Sequence, residues 1–99
     1  MLENFTIHTF SECVGDVFRV LAGGTSHVEI ILVSATELGG ENTNAIPRKP
    51  FSLVFRGPKD IPLSQRTYEV EHEGIGAFAL FLVPVGPDGE GMGYEAIFT

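Results

Sequence analysis

Apolar residues recur at alternate positions over short runs, and glycine or proline separates each run from the next, which predicts strands more than helices. The run 16–22 ends at Gly23-Gly24, and 26–36 is rich in valine and isoleucine, whose branched side chains suit a pleated surface. In this second run Val28, Ile30 and Leu32 share one face. Glu29, Ile31 and Val33 share the other, which turns apolar along its length and predicts cover on both sides near the strand's end. Residues 51–56 alternate cleanly, with Phe51, Leu53 and Phe55 opposed to Ser52, Val54 and Arg56. The run 66–72 reads as a half-exposed strand, Tyr68 and Val70 facing one way and Thr67, Glu69 and Glu71 the other. The run 77–85 is apolar on both faces, the mark of a central strand, although Pro84 removes a ladder donor near its end. Gly86-Pro87-Asp88-Gly89 supplies turn chemistry, and Tyr94, Ala96 and Phe98 share a face of the last strand.

Only the N-terminal part favours a helix. Residues 9–13 suit one or two turns, with Thr9 as N-cap, Glu12 placed to reach back in a capping box, and Gly15 as the stop. Residues 38–49 and 59–65 read as loops, the first long and rich in glycine and asparagine, the second held out of helix by Pro58 and Pro62. The fold class is mostly β: about six strands and one short N-terminal helix, as a small antiparallel barrel or sandwich. The strands at 51–56 and 66–72 are expected to pair, which would set Arg56 against the glutamates of the second.

The chain has 99 residues, 43% of them hydrophobic and 19% charged, which fits one β domain over 1–99. Its one cysteine, Cys13, forms no internal disulfide and suits a reducing compartment. The first residues are acidic where a signal peptide is positive, and 77–85 is far short of a membrane helix. A cytoplasmic location and no membrane contact are expected. Charge is lopsided: Arg48, Lys49, Arg56, Lys59 and Arg66 against Asp60 give 48–66 a balance of +4, which against the net −7 leaves −11 elsewhere. An acidic chain is a poor nucleic-acid binder, so none is expected. The five cations are expected first to pair with acidic neighbouring strands, and are otherwise candidate docking residues for an acidic protein partner or for a second copy.

The stretches PFSLVFRGP (50–58), QRTY (65–68), Glu71-His72, FLVPVG (81–86) and YEAIF (94–98), with Phe10 and VGDVF (14–18), resemble a bacterial family of roughly hundred-residue domains catalogued as a domain of unknown function. The resemblance covers nearly the whole chain and carries over no catalytic or binding residue. It implies an accessory or assembly role beside phage-tail-like or tail-collar proteins.

Candidate chemistry is thin. Cys13 with His8, His27 and His72 lacks the close-spaced ligand pairs of a zinc site, so no metal and no cofactor is expected. A cysteine nucleophile needs a base, and no spacing supplies one. Glu69, Glu71 and Glu73 read as an exposed strand face more readily than as paired acid–base carboxylates. Asp88-Gly89-Glu90-Gly91 lacks the alternating oxygen ligands of a calcium loop, and Gly74-Ile75-Gly76 leads into a strand where a phosphate loop wants a helix. Two readings follow. The first is a non-catalytic structural or adaptor module that docks or self-associates. The second is a small-molecule-binding barrel or small enzyme with Tyr68, His72 and Cys13 as its polar groups.

Overall fold

The computed structural model describes residues 5–23, 26–38 and 50–98. One short helix, α1 (Ile7–Ser11), precedes six strands: β1 (Val17–Gly23), β2 (Ser26–Glu37), β3 (Phe51–Gly57), β4 (Arg66–His72), β5 (Gly76–Asp88) and β6 (Gly91–Phe98). The strands close into an antiparallel barrel in the order β1-β2-β3-β6-β5-β4. Of the two architectures open to the sequence, the barrel is the one formed. Most of the 38–49 loop, with Arg48 and Lys49, lies outside the described residues.

Two long strands make the closure possible. β2 pairs with β1 as far as Ile31 and with β3 from Ile31 onward. β5 pairs with β4 as far as Leu82 and with β6 from Val83. Each shifts register by a bulge, between Leu32 and Ser34 in β2 and between Pro84 and Gly86 in β5. A bulge bends a strand and tightens its twist, as a small barrel needs. Gly86 sits there at φ +111, a conformation that side chains resist. Beyond Leu82, β5 has a paired neighbour on one side only, and there stand Pro84 and Pro87, which offer no N–H to a further strand.

The interior is packed. Phe18, Ile30, Leu32, Phe55, Val70 and Leu82 are fully buried within it. At one end α1 lays Phe10 across the opening, its ring 5.9 Å from Phe51, 5.9 Å from Phe78 and 5.3 Å from Phe98. At the other end the 58–65 segment inserts Leu63 beneath Tyr94. Among the described residues no helix is long and apolar enough to cross a membrane.

Four expectations need correction. The helix starts earlier: Thr6 is the N-cap, the Thr9 hydroxyl accepts the Thr6 N–H at 3.1 Å, and Glu12 is the C-cap. This register turns Phe10 into the core. β3 and β4 do not pair, because the 58–65 segment crosses the barrel end and β6 and β5 lie between them. Arg56 accordingly meets Asp88 and Glu90, and Glu71 meets Arg19. The last turn falls at Gly89 and Glu90, later than the Gly86–Gly89 sequence suggests, because Asp88 Oδ1 accepts the N–H groups of Glu90 at 2.8 Å and Gly91 at 2.9 Å. Finally, this chain's own elements do not cover the outer faces of β2 and β5: Ile31 is 45% exposed and Phe81 48%.

Candidate functional site

The most concentrated polar chemistry lies at the α1 end of the barrel. The turn after α1 is fixed by Gly15 at φ +94, a left-handed position that glycine fills at least cost. Its N–H donates to Leu32 O at 2.8 Å, and the Leu32 N–H returns to Asp16 O at 3.1 Å. These bonds hold Asp16 over the end of β4, where its Oδ2 lies 2.9 Å from His72 Nε2. Cys13 joins from the same turn, so that Cys13, Asp16 and His72 each place one ligand-type atom within 4.8 Å of the others.

The wiring of His72 decides what this group can do. Its Nδ1 faces the backbone N–H groups of Gly74 at 3.0 Å and Ile75 at 3.1 Å, so Nδ1 is an acceptor. The proton of the neutral ring is then on Nε2 and donates to Asp16. A metal at Nε2 needs the opposite tautomer, with the proton on Nδ1, where two N–H donors already point. The trio therefore does not fit a metal ion in this arrangement. Nor can His72 act as base for the thiol, since both ring nitrogens are committed. The ring is 8% exposed and packs 4.5 Å from Phe18.

The thiol agrees with this reading. Burial pushes the Cys13 thiol above its usual range, and the nearby carboxylates of Asp16 and Glu12 push the same way. The S–H donates to Thr9 O at 3.4 Å. A protonated, buried thiol is a weak nucleophile. An open cleft of about 640 Å³ runs beside the trio, lined by Asp16, Arg19, His72 and Glu73. Within it Arg19 is already paired to Glu71 at 3.5 Å. The cluster ties the helix turn to β4.

The residues singled out from the sequence divide accordingly. His72 and Cys13 come together, with Asp16 as the partner that sequence reasoning missed; nothing in the order of residues sets position 16 beside position 72. Tyr68 lies two inward positions back along β4, donates its O–H to Ser64 O at 2.8 Å, and is not part of the trio. His8 and His27 are exposed and stand apart from it. Arg56 is held by Asp88 at 2.9 Å and Glu90 at 3.4 Å, and the Arg66 guanidinium sits 4.8 Å from the centre of the Tyr68 ring. Lys59 is exposed on the 58–65 segment.

The outer wall is the other unusual feature. Ala77, Ala79, Phe81 and Val83 occupy the outward positions of β5, and the Val85 side chain lies against Gly93 on the same surface. Phe81, Val85 and, on neighbouring β6, Ile97 are 48%, 55% and 50% exposed. A family model described as a domain of unknown function (DUF6916) matches residues 5–98. No curated protein and no solved structure matches the chain.

Proposed function

For a chain that belongs to the DUF6916 family, a family of domains of unknown function, we propose the role of a non-catalytic interaction module that docks through the outer wall of its barrel. The observation that carries this reading is the run of outward apolar side chains along β5. Isolated exposed apolar residues are ordinary, but a contiguous stripe of them marks a contact surface. The partner class suggested by the sequence resemblance is a component of a phage-tail-like assembly. Competing chemistry has little to work with, since the interior is filled and His72 and Cys13 are committed to structural bonds. A small-molecule site spanning Tyr68, His72 and Cys13 would have to reach across that filled interior.

The test is capture from the native host by the wild-type chain and by a Phe81→Thr, Ile97→Thr double variant, with retained proteins identified by mass spectrometry. Threonine is β-branched and suits a strand, so the strands persist. Retention of an assembly protein by the wild type and its loss with the variant supports the module. Equal retention by both chains, or none by either, overturns it.

A further inference from the structure

The stripe on β5 has a border with a definite sign. Its outward positions from Ala77 to Val85 span about 26 Å at the usual rise of a strand. A shallow depression of about 320 Å³ opens over the two short side chains of Ala77 and Ala79, next to Thr67 and Glu69. From β4, Glu69 stands opposite Ala79 and Glu71 opposite Ala77. From β6, Glu95 stands opposite Val83, and one of its oxygens accepts the Ser52 hydroxyl at 2.8 Å. Carboxylates therefore flank the stripe on both sides.

The cations neutralise this border only at Glu71, which Arg19 meets at 3.5 Å. Among the described residues Arg56 is engaged with Asp88 and Glu90, and Arg66 packs on the Tyr68 ring, which faces inward. Among the described residues Glu69 has no ion-pair partner. A second copy placed across a two-fold axis would set this acidic border against itself, and like charges across an interface are costly.

We infer that the β5 wall docks a separate protein whose apolar side chains are flanked by lysine or arginine, with one apolar side chain seated in the depression beside Glu69. This deepens the module reading and rests on it. Buried apolar contact supplies affinity at the centre, and the carboxylate border selects the sign of the partner and speeds its approach.

Two matched amphipathic helical peptides serve as probes, one of leucine and lysine and one of leucine and glutamate with the same leucine face. Each is titrated into the isotope-labelled chain. The leucine–lysine peptide should shift the amides of Ala79, Phe81, Val83 and Ile97, and should bind more weakly as salt rises. The Phe81→Thr, Ile97→Thr variant should bind it about tenfold more weakly or worse. Glu69→Gln with Glu95→Gln should weaken it less and flatten the salt dependence. Equal binding of both peptides would overturn the inference while leaving the module reading, as docking through apolar area alone. Leucine–lysine binding that survives the threonine variant would be attraction to the net charge, and would overturn it. So would absence of binding, or a dimer in light scattering that Phe81→Thr dissolves, which would give the wall to a second copy. Failure of the module reading itself would appear separately, as equal or absent capture by the wild-type and threonine chains.

Discussion

The Tyr94 hydroxyl, buried in the barrel, accepts the backbone N–H of Leu63 at 2.8 Å. The 58–65 segment has no strand neighbour, so this bond supplies one of its fixed attachments to the sheet. It also satisfies a donor that Leu63 carries into the core as it closes the barrel end.

Tyr94→Phe keeps the ring and removes the acceptor, leaving a buried N–H unpaired. The expected loss of stability is about 1–3 kcal/mol. Urea unfolding of the two chains, with the amide exchange of Leu63 followed alongside, measures it; an unchanged midpoint would mean the bond is dispensable.

Asp16 and His72 give a second contrast. Asp16→Ala leaves the part-buried Nε2–H of His72 with only water from the adjoining cleft as acceptor, at a cost of about 1 kcal/mol. Asp16→Asn retains a carbonyl oxygen that can accept the same proton and should cost clearly less. Ring-nitrogen chemical shifts should place the His72 proton on Nε2; a proton on Nδ1 would reopen the metal reading.

Cys13 should resist alkylation in the folded chain at neutral pH and react freely once denaturant is added. Its thiol lies above the usual range because of burial first and the Asp16 and Glu12 carboxylates next. With the folded value raised, this contribution to stability is complete below the ordinary thiol range. It is lost as pH rises, because the unfolded chain ionises first. Iodoacetamide rates against pH check both statements, and rapid labelling of the native chain near neutrality would contradict them.

Asp88 behaves with the opposite sign. The Glu90 N–H, then the Arg56 guanidinium, hold its carboxyl below the usual carboxylate range. Its contribution is therefore complete above that range and is lost as pH falls through the depressed folded value. A carboxyl titration followed by NMR should find Asp88 below the usual aspartate range, and Arg56→Gln should move it part of the way back.

Local patterning made the strands readable. The period of two assigned Phe51, Leu53 and Phe55, and likewise Tyr68 and Val70, to the buried face, and the observed burial agrees. Pairing was harder, because alternation says which way a side chain points and nothing about which strand lies beside it. The bulges in β2 and β5 let each long strand serve two neighbours in turn; Val33 gives the first no turn-like composition, and the Pro84 and Gly86 that flank the second read as a strand end and a turn. An apolar outer face was legible as a run of hydrophobic residues on 77–85, but composition reads such a face as covered, whereas Phe81 and Val85 are open. The trio escaped for a different reason: Asp16 and His72 are 56 positions apart and meet only after the barrel has closed.

The strand order divides the molecule into two consecutive meanders, β1-β2-β3 and β4-β5-β6, which meet along two seams of unequal length. β3 and β6 share seven residue pairs, from Phe51 with Phe98 to Gly57 with Met92, whereas β1 and β4 share three, Arg19 with Glu71, Val20 with Val70 and Leu21 with Glu69. The barrel is thus a clasp with a long hinge and a short latch, and thermal opening favours the latch, where fewer ladder bonds must break. An opened latch leaves each meander internally paired and bares two complementary edges that normally join only to each other. Those edges are the route by which one chain could exchange a meander with another and close the same barrel from two halves.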